Sequence, residues 1–177
     1  MRYYFKMNSQ ERSRTTSTLI AAERAHRRAS GKGLGDIAIS IQVRSCNALL
    51  QERLLRMLEP HGISNVGYYT LMALYSRPEN LINPSELCAI TGETRGNMTR
   101  ICDELVDKGW IHRVPNAHDR RRVDLSLSEA GAALLKVVAP EMRKNADKFY
   151  KSLFTSAEKA TLQALLARLA EGFAAQS

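Results

Sequence analysis

The chain has 177 residues, of which 44% are hydrophobic, 25% charged and 6% aromatic, a composition that supplies one sizeable core and excludes a multidomain enzyme. Lys and Arg number 26 against 18 Asp and Glu, a net charge of +8, so an anionic polymer or surface is the first partner class to consider. The charge is uneven: residues 1–33 carry eight basic side chains and two acids, a balance of +6, which leaves only +2 for the remainder.

Residues 1–33 show no sustained apolar period and are expected to form a weakly structured basic arm, helical at most near Leu19 to Arg28, with Ser30-Gly31-Lys32-Gly33 as a joint. From Asp36 to Glu59 one helix is predicted with two apolar stripes, Ile37-Ile41-Ala48-Leu55 and Ile39-Val43-Leu50-Met57. At 100° per residue these stripes lie on nearly opposite sides, so the helix must be covered twice. Pro60 and Gly62 end it. Ser64 is placed to cap a second helix through Tyr68, Leu71, Met72 and Tyr75, which Arg77-Pro78 stops.

Asn83-Pro84-Ser85-Glu86 is a start signal for a short helix, with Asn83 as cap, Pro84 at the first helical position and Glu86 reaching back. After Thr91-Gly92-Glu93, a helix from Thr94 to Lys108 puts Met98, Ile101, Cys102, Leu105 and Val106 on one face, with Gly109 past its end. Two helices joined in this way form a helix-turn-helix. The period then changes: Trp110 to Val114 and Val123 to Leu127 read as a hairpin around the Arg-rich segment Pro115 to Arg122. Ser128 caps a long helix toward Leu153, which Pro140 should kink or open, and Thr155-Ser156-Ala157-Glu158 starts a last helix with the stripe Leu162, Leu165, Leu166, Leu169 and Phe173.

The second helix of the helix-turn-helix leaves its N-terminal end polar, and that end enters the major groove in proteins of this kind. Arg100 could make a bidentate contact to guanine, while Thr94, Arg95, Asn97 and Thr99 could bond phosphates or base edges. Taken alone, such a face is equally well a solvated one. The hairpin tip shifts the balance, because Asp119-Arg120-Arg121-Arg122 gathers three guanidiniums that repel one another unless an anion, such as a narrow minor groove, lies alongside. The expected fold is therefore mainly α (α+β), a winged helix-turn-helix with long N- and C-terminal helices.

At these positions the chain resembles the MarR family of bacterial winged-helix regulators. The resemblance rests on Asn83-Pro84-Ser85-Glu86-Leu87, the run Thr99 to Leu105 followed by Lys108-Gly109-Trp110-Ile111, the wing motif Asp119-x-Arg121, and Leu127-Ser128-Glu129-x-Gly131. It covers Asp36 to about Phe173, and Pro84 to Gly131 is most similar to the EmrR branch of multidrug-efflux repressors. The resemblance implies that Arg121 enters the minor groove and Asp119 holds it. It also implies a homodimer, which the double-striped helix requests independently, with the terminal helices supplying the second cover. The expected division is residues 1–33 as arm, 34–62 and 140–177 as dimerisation helices, and 63–139 as the DNA-binding domain.

The family further implies a small phenolic or aromatic acid as effector, for which Arg44, His61, Tyr68, Tyr69 and Met72 are the candidate binding residues. Arg44 is expected to be a partly buried cation, although Tyr68 and Met72 could equally be core and Arg44 a snorkelling surface residue. Catalysis is not expected: His26, His61, His112 and His118 have no metal-ligand spacing, and neither a Gly-rich phosphate loop nor a nucleophile elbow is present. No cofactor or metal is expected. Cys46, Cys88 and Cys102 form no C-x-x-C pair and sit among apolar neighbours, which suggests packed free thiols in a reducing cytoplasm. The expected function is thus a ligand-responsive repressor of an efflux or aromatic-compound operon, with double-stranded DNA and a second copy of the chain as partners. The alternatives are an oxidant sensor switching through Cys46 and an architectural DNA-binding protein using the arm.

Overall fold

The computed structural model describes residues 9–77, 79, 81–116 and 123–175, with side chains from Thr18 onward. The chain divides into two units, Met1–Met57 and Leu58–Ser177. In the first, helix α1 (Ser9–Ser30) and helix α2 (Ile37–Leu58) flank a turn in which Gly31 and Gly35 have φ of 69° and 52°. The arm is therefore helical over a wider span than the sequence suggested. Nothing between Ser9 and Ser30 breaks a helix, and a helix without a packing face gives no apolar period to detect. Glu23 ties α1 to the turn, its carboxylate accepting from the Leu34 amide at 2.9 Å and from Arg27 Nε at 2.8 Å. The Leu34 hydrogen bond, ahead of the attraction of Arg27, holds the Glu23 carboxyl below its usual range.

Along α2, Ile37, Ile39, Val43, Leu50 and Leu55 are all exposed. The two stripes are present on the helix, as expected, and the single chain leaves most of both in water.

The second unit begins with Leu58 and a 3-10 turn, Glu59–His61, closed by Gly62 in the left-handed region at φ 66°. Helix α3 (Asn65–Tyr75) starts at Ser64, whose hydroxyl oxygen accepts from the Gly67 amide at 3.1 Å. A two-residue strand β1 (Leu81–Ile82) follows, too short to show a period and so missed in the sequence. Helix α4 (Pro84–Thr91) carries the expected capping box between Asn83 and Glu86, and Gly92 ends it at φ 72°. Helix α5 (Arg95–Asp107) is capped by Thr94. Strands β2 (Ile111–Pro115) and β3 (Val123–Leu127) pair antiparallel from Ile111↔Leu127 to Pro115↔Val123, and β1 joins the far side of β3 to give the order β1-β3-β2.

Leu58, Leu71, Leu74, Leu87, Met98, Ile101, Leu105, Ile111, Leu125, Leu135 and Val138 interlock in one buried cluster drawn from α3, α4, α5, both long strands and helix α6 (Glu129–Leu153). This cluster fixes the inner face of α5, and through it which residues point outward. Helix α6 runs unbroken through Pro140 instead of opening there. Pro140 and Lys136 are both exposed, so water can satisfy the Lys136 carbonyl that lacks its amide partner. Helix α7 (Ser156–Ala174) has the expected Thr155–Glu158 capping box and no buried residue; Leu165, Leu166 and Phe173 are exposed.

The junction between β3 and α6 brings two backbone segments into close approach. Ser128 donates its hydroxyl to the Gly109 carbonyl at 2.7 Å and its amide to the Trp110 carbonyl at 3.0 Å, while its oxygen accepts from the Gly131 amide at 3.0 Å. A Cβ on Gly131 would lie 2.3 Å from the Trp110 carbonyl oxygen. Because that obstacle is backbone, Gly131→Ala should destabilise the unit by about 1–3 kcal/mol. Urea unfolding followed by far-UV circular dichroism measures this, and an unchanged midpoint would show that the junction can relax.

Candidate nucleic-acid interface

Helix α5 is amphipathic with a buried face of Met98, Ile101, Cys102 and Leu105. The opposite face presents Arg95, Gly96, Thr99, Arg100 and Asp103, all exposed, and the space beside Gly96 is open. Thr94 is used twice: its hydroxyl oxygen accepts from the Asn97 amide at 3.3 Å and its carbonyl from the Met98 amide at 2.9 Å, which starts the helix. Thr99 donates its hydroxyl to the Arg95 carbonyl at 2.9 Å. Asn97 bridges two charges, donating to Glu93 Oε2 at 2.6 Å and accepting from Arg100 Nη2 at 3.1 Å. Thr94, Arg95, Asn97, Thr99 and Arg100 are thus gathered within the first two turns of one helix.

The C-terminal end of α5 is held by contacts that were not anticipated from the sequence. Lys108 donates to the Gly62 carbonyl at 2.6 Å and to Glu104 Oε1 at 2.7 Å, with its ammonium 5.1 Å from the centre of the Trp110 ring. Arg113 on β2 pairs with Asp103 on α5. The i, i+4 spacing of Arg100, Glu104 and Lys108 was visible in the sequence, but the Asp103–Arg113 pair joins two elements and had no local signal. At the base of the wing hairpin Asn116 donates to Asp124 at 2.7 Å. The wing residues Asp119, Arg120, Arg121 and Arg122, together with His118, lie outside the described residues.

The candidate effector residues are distributed between the two units. Arg44 on α2 is exposed, which corrects the expectation of a partly buried cation: it borders a stripe that is itself uncovered. Tyr68, Tyr69 and Met72 share α3, where Tyr68 belongs to the buried cluster, Met72 packs half-buried against it, and Tyr69 is exposed with its ring centre 5.6 Å from that of Tyr68. Burial, reinforced by the neighbouring Tyr69 hydroxyl, raises the Tyr68 pKa. His61 Nε2 lies 3.0 Å from Glu141 Oε2.

Cys46 is exposed, not packed, while Cys88 is half-buried and Cys102 buried. Among the described residues there is no group of three or more His, Cys, Asp or Glu side chains able to hold a metal, and no helix long and apolar enough to cross a membrane.

Residues 61–122 match the sequence profile of the MarR family. Transcriptional repressor MprA of Escherichia coli (strain K12) is 36% identical over 124 residues, which cover 68% of this chain and 70% of MprA. The chain belongs to the MarR family. Multiple antibiotic resistance protein MarR of Escherichia coli (strain K12) is 32% identical over 120 residues, 67% of this chain and 82% of that protein. Among solved structures, a cysteine-to-serine variant of E. coli MarR complexed with operator DNA superposes with a TM-score of 0.67 at 29% identity, over 77% of this chain and 96% of that one. Sco3205 of Streptomyces coelicolor, a MarR-family regulator in complex with DNA, shares the fold at a TM-score of 0.70 and 23% identity, over 76% of this chain and 84% of its own. The winged helix read from residues 83–131 is therefore the family's fold.

In this MarR-family chain the thiol of Cys102 lies behind the outward face of α5, where burial, only partly opposed by Arg113, pushes its pKa up to about 11. Above pH 9 the unfolded chain gives up this proton while the folded chain keeps it, so this thiol makes stability fall as pH rises from about 9 to about 11. Thermal melts across that range should show a shallower decline in Cys102→Ala than in the wild type, the comparison cancelling the contribution of Tyr68. Parallel slopes would mean that Cys102 titrates normally.

Proposed function

We propose that the protein is a homodimeric, ligand-responsive repressor that binds a pseudo-palindromic duplex through α5 and the wing hairpin. The observation that carries this reading is the outward face of α5, where Arg95, Thr99 and Arg100 stand exposed on a helix whose other face is anchored in the core. The complex of the E. coli MarR variant with operator DNA supports it. The exposed apolar side chains of α2 and α7 support a second copy of the chain as the partner that covers them. On this reading the basic helix α1 adds attraction to phosphates without reading bases, and Arg121 acts in the minor groove with Asp119 holding it. No catalytic step, metal or cofactor enters.

The effector in this reading is a small aromatic acid. Within the second unit the exposed ring of Tyr69 and the half-buried Met72 offer it an aromatic and a thioether contact, with the half-buried His61 as a further candidate, while Tyr68 belongs to the buried cluster. Two recognition helices must stand roughly 34 Å apart to enter successive major grooves, so a ligand lodged beside the linking helices needs only to change that separation.

A duplex selected by the protein from a random-sequence library provides the operator for testing. Arg121→Ala should weaken binding to it by about 1–3 kcal/mol and flatten the salt dependence, with the dimer intact by sedimentation. Unchanged affinity at two salt concentrations would remove the wing from the interface. Salicylate, titrated into the free protein and into the complex, should bind the complex more weakly by the factor by which it weakens DNA binding. Equal affinities would exclude it as an effector.

A further inference from the structure

We propose that Glu93, in the turn of the helix-turn-helix, is a positioning residue for base discrimination: it fixes the side-chain amide of Asn97 and, through it, the guanidinium of Arg100. The inference rests on the DNA-binding reading above and deepens it.

Glu93 follows the left-handed Gly92 and precedes the cap Thr94, so its side chain stands at the start of α5. Its carboxylate accepts from Asn97 Nδ2 at 2.6 Å in a half-buried bond. Asn97 Oδ1 accepts from Arg100 Nη2 at 3.1 Å, Arg100 Nη1 lies 3.9 Å from Glu104 Oε2, and Glu104 Oε1 accepts from Lys108 at 2.7 Å. Lys108 in turn donates to the Gly62 carbonyl at 2.6 Å, which anchors the row outside α5.

An amide presents a donor on one side and an acceptor on the other, and either orientation is open when water is the partner. Here a carboxylate, which can only accept, faces one side and a guanidinium, which can only donate, faces the other. A single orientation satisfies both. The Arg100 fork is also held between Asn97 and Glu104 while its side chain remains 68% exposed, so it meets a base edge already oriented and loses little freedom on docking.

The position of Glu93 is otherwise unfavourable for a DNA-binding face. A carboxylate near phosphates weakens binding to every duplex by the same repulsion, whatever the sequence. Its charge and its hydrogen bond therefore act on different observables: the charge on affinity for all DNA, the bond on the ratio between a selected and a scrambled duplex.

The test compares Glu93→Gln and Glu93→Ala in the full-length protein, measuring affinity for the selected duplex and for a scrambled one of equal length and composition, with thermal melts to confirm folding. Glutamine keeps an acceptor at the same reach and removes the charge, so both affinities should rise together and their ratio stay within about twofold of wild type. Alanine removes the acceptor as well, and the ratio should fall by roughly five- to tenfold, within the range that one base-reading pair contributes to discrimination. A wild-type ratio in Glu93→Ala overturns the proposal and leaves Glu93 as an electrostatic residue only. A fall in Glu93→Gln as large as in Glu93→Ala assigns the effect to charge and overturns the hydrogen-bond argument. If the wild-type protein enriches no duplex at all, the DNA-binding reading fails, and this proposal with it.

Discussion

Ser128 and Gly131 bind the start of α6 against the backbone that leaves α5, and the geometry of the winged helix depends on that contact. Ser128 ties the two backbones together, donating its hydroxyl to the Gly109 carbonyl and its amide to the Trp110 carbonyl while accepting from the Gly131 amide. The approach is possible only because Gly131 has no side chain to meet the Trp110 carbonyl. Gly109, at φ 69°, ends α5 so that Trp110 can turn into β2. Helix α5, strand β2 and helix α6 thus meet over a few residues, joined by hydrogen bonds of the Ser128 hydroxyl and amide to neighbouring backbone groups.

The electrostatics follow from that arrangement. Outside residues 1–33 the chain carries only +2, too little for overall charge to place an anionic partner. What matters is local: Arg95 and Arg100 stand on the outward face of α5, whereas Asp103 pairs with Arg113 of β2 and Glu104 is shared between Lys108 at 2.7 Å and Arg100 at 3.9 Å. Cations lead at the end where a helix N-terminus already favours anions, and the acids of α5 itself follow further along it, each with a cationic partner. Glu93 departs from this pattern, and its bond to Asn97 is the structural reason for its presence.

Exposed apolar side chains on α2 and α7 form the second constraint. Isolated exposed leucines and isoleucines are ordinary on a protein surface, but five on one helix and three on another are more than a monomer commonly leaves in water. On the proposed reading, a second copy of the chain covers them by helix-against-helix packing.

Most element ends were legible in the sequence because they depend on chemistry within four residues: the capping boxes at Asn83 and Thr155 and the caps Ser64 and Ser128 that start helices, and the glycines Gly62, Gly92 and Gly109 that end them. The inner face of α5 was legible for the same reason, since its apolar spacing is a local property. What the sequence could not supply were contacts between distant positions and environments set by neighbours. Strand β1 exists because β3 offers it a ladder, not because two residues have a pattern. Arg44 and Cys46 were expected to be partly buried or packed because they lie near apolar stripes, but periodicity shows which residues share a face and not whether anything covers it. Pro140 was expected to kink or locally open a helix that its exposed position allows to continue. The sequence alone determined the family, the recognition helix and the residues it turns outward; the tertiary structure decided which of those side chains are already engaged, because hydrogen bonds and burial depend on distances that only packing sets.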